Sequence, residues 1–512
     1  MTSRDERPAR GPDAPGLDVP DDGDGESASW GGSVKRGIAW SVLAFSASKA
    51  LSLISILVLA RLLDPAEFGV VAAVAAYIAL VELGSDLGMK PAVVYEQESG
   101  ITRRVQTAFT LNLAMAAVLT VLAVLLAPLV AKLFGAGEHT DLFRLGALNL
   151  LLTALGNIHD GVLLRDMSFS TRIRPQVARD VLRVTVSVAL AFAGLGAEAL
   201  VIGFLAGSAA WVVMQWSLTP LRPSLVLDLV AAREMVRYGA AAALLEVMAV
   251  IAGRLDIVVI GALIGTHALG LYTIAFRLPE VLLSGVAYTL AVVAFPALAR
   301  KREESAGALS HATLTLLRYQ AVYALPVGAA LGVLSEPIIA ALFSDVWSDA
   351  APAMVGISAG LAAMTATFPL GDLLKAVGKQ STLVKINCLN VPLIGAACVL
   401  AAPAGITAVA WALAGAAFVF AILLSVVVAR EIGAGPAQVL SALAPGAAAA
   451  LGVIVAGLAV RLSWSEPVWP ALFVAAACAA AGGTLALRLL ARGTYDDLSG
   501  PLLRAVRARS GR

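Results

Sequence analysis

Charge is scarce in this chain. Only 14% of its 512 residues are Asp, Glu, Lys or Arg, against 59% that are hydrophobic, and the mean hydropathy is +0.86. A soluble domain has far more polar surface than this, so the composition is that of a protein crossing a membrane many times. Cysteine is scarcer still. Cys388, Cys398 and Cys478 all lie within apolar runs, which excludes a disulfide framework and a cysteine-based metal site and reads as three small core side chains. The four histidines, His139, His159, His267 and His311, are scattered, and no HExxH, GxSxG, P-loop or CxxC spacing occurs, so no cofactor, metal or catalytic motif is expected. Long polar stretches between the apolar runs are also missing, which leaves no room for a globular catalytic domain outside the membrane. The chain is not expected to be an enzyme. Its formal charge of +2 carries no information until the charges are placed on a topology.

What is present is a long series of apolar runs. Residues 1–33, with eight acids, three arginines and almost no large apolar side chains, cannot bury enough surface to fold and read as a disordered tail. They lack the basic start and short apolar core of a secretory signal. About twenty residues cross roughly 30 Å of hydrocarbon. Runs of that length lie near 37–63, 66–88, 107–133, 141–164, 176–195 and 197–218, then near 236–264, 268–298, 314–343, 350–376, 380–401 and 404–430, with two more near 438–462 and 467–492. The expectation is an all-α polytopic membrane protein of about fourteen transmembrane helices. The domains expected are a cytoplasmic tail (1–33), a six-helix bundle (34–235), a second six-helix bundle (236–436), two additional helices (437–492) and a basic tail (493–512).

The two blocks are copies. Leu62-Leu63-Asp64-Pro65-Ala66-Glu67-Phe68-Gly69 closes one run and opens the next, with Pro65 placed to begin a helix. Leu263-Ile264-Gly265-Thr266-His267-Ala268-Leu269-Gly270 does the same, and an offset of 201 superposes Phe68-Gly69 on Leu269-Gly270. Pro128–Gly135 resembles Pro337–Ser344, and Asp160–Arg165 resembles Leu370–Lys375, at offsets of 209 and 210. Six is an even number, so the second block enters the membrane from the same side as the first. The repeats are therefore parallel, forming two lobes about an axis along the membrane normal with a cleft between them. Of the 37 Lys and Arg, most fall on one side of the membrane, from Lys35-Arg36 through Arg165, Arg172, Arg174 and Lys375 to the terminal cluster ending at Arg512. The other side has Arg61, Lys132, Arg144 and Arg461. Positive charge marks the cytoplasmic side, so both termini are expected there.

At this point the chain resembles a known family. LARLLDPAEFGVVA (59–72), SDLGMKPAVVYE (85–96), IGALIGTHALGLYTIAFRLPE (260–280) and AFPALAR (294–300) resemble the polysaccharide-transport branch of the multidrug/oligosaccharidyl-lipid/polysaccharide (MOP) exporter superfamily, the Wzx-type flippases, over roughly residues 35–430. The resemblance implies a MATE-like fold in the bacterial cytoplasmic membrane. It also implies transport of isoprenoid-diphosphate-linked oligosaccharide repeat units for surface polysaccharide synthesis, by alternating access of the cleft. A proton or sodium ion would serve as coupling ion, and polysaccharide polymerase or export proteins as partners; no nucleic acid is involved. The alternatives are a MATE-type drug or cation antiporter, for which twelve spans are usual, and a peptidoglycan-precursor (lipid II) flippase. A membrane enzyme using the same carrier would carry its catalytic groups on a large external loop, which is absent here.

Ionisable side chains at helix centre cost about 2.5–3.5 kcal/mol on insertion scales, so those present should face protein, water or substrate. Counted at about 1.5 Å per residue, Glu246, Arg277 and Glu280 fall near the midplane on consecutive spans, and Arg277 and Glu280 are i, i+3 neighbours. They read either as the place where a diphosphate or acidic sugar is met or as a structural ion pair. Arg254 and Asp256 stand toward the outer end of the seventh span. Glu82 and Asp86, one turn apart on the second, read as a cation-coupling pair or as groups facing water or Lys90. Asp160 beside Arg165 and Asp372 beside Lys375 read as interfacial ion pairs.

Overall fold

The computed structural model describes residues 51–86, 101–165, 169–219, most of 222–233, most of 247–287, most of 298–304, and 305–463 and 468–492. Every regular element among them is helical. Helix α1 occupies 51–59, the chain turns through 60–63, and Pro65 opens α2 (Pro65–Asp86), where a missing N–H is harmless because the first helical amides have no intrahelical partner. Glu67 Oε2 reaches back to accept from the Asp64 N–H at 2.9 Å, closing the corner as a capping box does. The first bundle continues through α3 (Ile101–Leu133), α4 (Thr140–Ala147), α5 (Asn149–Arg165), α6 (Phe169–Phe192) and α7 (Ala197–Leu218).

The second bundle repeats the order with α8 (Leu255–Leu263), α9 (Thr266–Pro279), α10 (Ala306–Val333), α11 (Ser335–Leu342), α12 (Ala351–Ala376), α13 (Gln380–Ala401) and α14 (Ile406–Glu431). Two further helices, α15 (Pro436–Ser463) and α16 (Val468–Leu490), follow; α15 packs along α10 and α16 along α15. Nine helical segments among the described residues are long and apolar enough to cross a membrane. The expected spans at 37–63, 236–264 and 268–298 lie partly outside the described residues.

Three expectations need correction. The seventh span is not one continuous helix: the chain turns at Gly253-Arg254 before α8 begins, at a residue of poor helix propensity. The eighth passes from α9 into a π-helical turn, Glu280–Ser284, directly after Pro279, whose ring and absent N–H disturb the regular ladder. Of the three cysteines only Cys398 is a core side chain; Cys388 is exposed and Cys478 partly so, because a lipid-facing position in a membrane helix is as apolar in sequence as a protein-facing one.

The bundles meet where the repeats predict. A Cβ added to Gly69 on α2 would overlap the carbonyl oxygen of Thr266 on α9, and one added to Gly270 on α9 would overlap the carbonyl oxygen of Pro65 on α2. Thr266 is Pro65 shifted by 201, and Gly270 is Gly69 shifted by 201, so each contact is the image of the other, as a two-fold axis between the repeats requires. One layer away the two sides differ. Ala60 offers its carbonyl to Trp347 Nε1 at 2.8 Å, while its repeat counterpart Gly261 packs against the Phe134 ring. Phe68 meets the Trp347 ring edge to face at 5.2 Å, and Trp347 is wholly buried.

Backbone cannot yield as a side chain can, so Gly69→Ala and Gly270→Ala should each lower stability by about 1–3 kcal/mol, the usual cost of overpacking. Gly415→Ala, on an exposed helical position with nothing nearby, should leave it unchanged. Thermal unfolding midpoints of the purified proteins in one detergent would measure this; a neutral Gly69→Ala would mean that the two helices do not meet at backbone contact.

Candidate functional site

Two arginines on α6 and one on α9 bring charge into the middle of the protein. Helix α7 carries Gly203 and Gly207, four apart on one face, and α6 lies directly on them: a Cβ at Gly203 would stand 2.9 Å from the Arg183 carbonyl oxygen, and one at Gly207 2.7 Å from that of Arg179. Small residues at this spacing let membrane helices approach closely. The approach sets Phe204 under both guanidinium groups, with Cζ of Arg183 5.4 Å and Cζ of Arg179 5.9 Å from the ring centroid, a cation–π geometry. Arg183 is exposed to solvent. It stands fourteen residues beyond the start of α6, about 21 Å along the axis.

Across the cleft, Arg277 Nη1 bonds Glu280 Oε2 at 3.1 Å, with side chains 37% and 38% exposed. The pair expected from i, i+3 spacing therefore forms, and Glu280 opens the π turn, a local geometry frequent at functional sites. Arg183 lies close enough to feel the charges of Arg277, Arg179 and Asp180. Charge from the two bundles is thus brought within range. Sequence reasoning singled out neither Arg183 nor Arg179, although both fall within the run expected at 176–195. The usable signal was the 179/183 spacing, which puts both on one helix face.

Asp256 has a different environment. Its Oδ2 accepts from Tyr272 Oη at 2.8 Å and its Oδ1 from the Ile257 N–H at 2.9 Å, so α9 and the first turn of α8 hold the carboxylate between them. Arg254, at the preceding turn, is a neighbouring charge. Glu82 is half-buried on α2, and Asp86 is the last residue of that helix. Glu246 lies outside the described residues.

The interfacial pairs hold, with one change of partner. Asp372 accepts from Lys375 Nζ at 3.1 Å. Arg172 on α6 binds Asp160 as a fork, Nε to Oδ1 at 2.7 Å and Nη2 to Oδ2 at 3.0 Å. Arg165 ends the same helix as Asp160, whereas the facing helix can present both nitrogens in the carboxylate plane.

Helices arranged in two lobes joined at a pseudo-two-fold crossing have the fold of solved MOP-superfamily structures. A solved structure of the lipid II flippase MurJ in an inward closed conformation superposes with a TM-score of 0.73 at 14% identity, covering 89% of this chain and 99% of that one. An inward-facing multidrug-resistance MATE transporter of the same superfamily superposes at 0.58 with 17% identity over 77% and 98%. Residues 58–352 match the family described as polysaccharide biosynthesis protein, and the chain belongs to that family. Similar proteins include the succinoglycan biosynthesis transport protein ExoT of Rhizobium meliloti, 26% identical over 68% of this chain and 70% of that one. The lipopolysaccharide biosynthesis protein WzxC of Escherichia coli is 22% identical over 69% and 71%.

Removing Arg172 would strand the Asp160 carboxylate, which is only 8% exposed. A fully buried pair broken this way costs about 3–5 kcal/mol; since Arg172 itself is 35% exposed, Arg172→Ala should cost about 2 kcal/mol. Arg172→Ala combined with Asp160→Asn should recover part of it. Unfolding midpoints at fixed detergent concentration would decide, and an unaltered Arg172→Ala would assign the pair no structural weight.

Proposed function

We propose that this protein is a flippase that moves isoprenoid-diphosphate-linked oligosaccharide repeat units across the bacterial cytoplasmic membrane for surface polysaccharide assembly, by alternating access of the cleft between its two bundles. The observation that carries this reading is the approach of Arg183 and Arg277 from opposite bundles within range of each other's charge, in a family described by polysaccharide biosynthesis, with relatives named for polysaccharide synthesis and transport. A guanidinium is a planar fork able to hold two phosphate oxygens at once. Arg277 is proposed to meet the diphosphate, with Glu280 holding it when the cleft is empty. Glu246, Arg254 and Asp256 are proposed to stand along the pathway, and Glu82 and Asp86 to take up a coupling proton or sodium ion. The bundles are proposed to divide at 34–235 and 236–436, with both termini cytoplasmic and a polymerase or export protein receiving the product.

Deletion of the gene in its host should abolish the polysaccharide while lipid-linked repeat units accumulate on the cytoplasmic leaflet. Hydrogen bonds to charged groups are worth about 1.5–3 kcal/mol, so Arg277→Ala at matched membrane abundance should restore about ten- to hundredfold less transport than wild type, and Arg277→Lys an intermediate amount. If Arg277→Ala with Glu280→Gln regains full activity, Arg277 serves only as the structural partner of Glu280. Normal polysaccharide in the deletion strain would refute the function itself.

Orientation has its own test. In a cysteine-free background, an impermeant thiol reagent applied to intact cells should label His267→Cys, at the proposed outer corner, and spare Arg174→Cys. The reverse pattern would invert the topology.

A further inference from the structure

Between α7 and the second bundle the chain runs along the outside of α3 with its apolar side chains turned away from the protein. Residues 224–228 form no regular element, and the Val226 N–H donates back to the Ser224 carbonyl at 3.0 Å. Val226 and Asp228 are half-buried while Leu225, Leu227 and Leu229 are exposed, Leu225 and Leu229 each at 73%. Val230 adds a fourth exposed apolar side chain. The inward side is tied to α3. The Thr110 hydroxyl donates to the Val226 carbonyl at 3.0 Å, shared with the Gln106 carbonyl at 2.9 Å, and the Asp228 N–H donates to Thr107 Oγ1 at 3.2 Å. Asp228 then turns the chain, its Oδ1 accepting from the Val230 N–H at 3.0 Å.

Depth says what the outward side meets. In α3 the apolar run follows Arg103-Arg104 and begins at Val105, so Thr107 and Thr110 lie about 3 and 8 Å along it at 1.5 Å per residue. A segment bonded at that level is held at the boundary between acyl chains and headgroups, the depth at which apolar faces of interfacial elements settle. Higher on the same helix, Val118, Val121, Leu125 and Leu129 are exposed as lipid-facing side chains are. Arg222 and Arg233 flank the segment and are exposed, placed for lipid phosphates.

We propose that residues 224–230 form a lipid-embedded strap: Leu225, Leu227, Leu229 and Val230 insert into the acyl–headgroup boundary of the leaflet at the start of α3, while the Thr107 and Thr110 hydroxyls fix the depth. That leaflet is the cytoplasmic one in the orientation proposed above. The connection between the bundles then travels with the first of them. The strap does not depend on what the protein carries.

The test uses the full chain in a background with Cys388, Cys398 and Cys478 replaced by Ala, bearing one cysteine at Leu225, Leu229 or Ser305 and labelled with an environment-sensitive fluorophore. Reconstituted in phosphatidylcholine–phosphatidylglycerol vesicles, the Leu225→Cys and Leu229→Cys labels should be quenched by lipids carrying a nitroxide near the headgroup. They should resist aqueous iodide, and the Ser305→Cys label should show the opposite. Quenching by iodide would put the segment in water, and quenching by neither agent would mean that protein covers it; both results overturn the strap. Thr107→Val with Thr110→Val should weaken nitroxide quenching at Leu225→Cys, and unchanged quenching would overturn the role of the two hydroxyls.

Discussion

The passage of α2 against α9 at bare backbone is the constraint on which the rest of the structure depends. Lipid is as apolar as leucine, so two membrane helices gain little by burying leucine against each other and gain chiefly where small residues admit close van der Waals contact. Gly69 and Gly270 supply that contact twice, once in each direction. Around the crossing the larger aromatic groups fit in pairs, Phe68 with Trp347 and Phe134 with Gly261, and the bond from Trp347 Nε1 to the Ala60 carbonyl satisfies a polar group that hydrocarbon could not.

With the bundles joined at one end of α2 and α9, charge can be tolerated deeper between them. Arg277 keeps Glu280 as a neighbour on its own helix, and Arg183 and Arg179 rest on Phe204. An arginine held over an aromatic face is positioned without a carboxylate fork, so the first bundle holds its cations by a ring while the second holds Arg277 in an ion pair.

Much of this was legible in the sequence. The offset of 201 came from two short corners and is reproduced atom against atom at the crossing. The run at 380–401 is the helix Gln380–Ala401, and Pro65 begins α2. What escaped shares a physical cause: hydropathy reports the distance of a residue from water along the membrane normal and says little about direction around a helix. It could not separate Cys398, which faces protein, from Cys388, which does not. It singled out neither Arg179 nor Arg183 within the run expected at 176–195, because one face of α6 carries both and depth says nothing of faces. It paired Asp160 with the cation nearest in sequence, when a guanidinium on the facing helix had the better geometry.

The bond between Ala60 and Trp347 joins residues 287 apart in the chain, and the matching crossing joins Gly69 to a helix about two hundred residues further on. At about 5–20 residues per second of synthesis, the first bundle waits roughly 10–40 s in the membrane before its partner emerges. During that interval the face that will carry the crossing is covered by lipid alone. A face built mainly from glycine, alanine and phenylalanine bears this at little cost, the Ala60 carbonyl apart, which waits for Trp347. Arg179 and Arg183 are a different matter, and their place over Phe204 within the same bundle gives them a local partner from the moment α7 is inserted. The order of translation therefore accounts for a feature that the finished structure alone would leave as coincidence: the contacts formed last are chiefly those that lipid can substitute for.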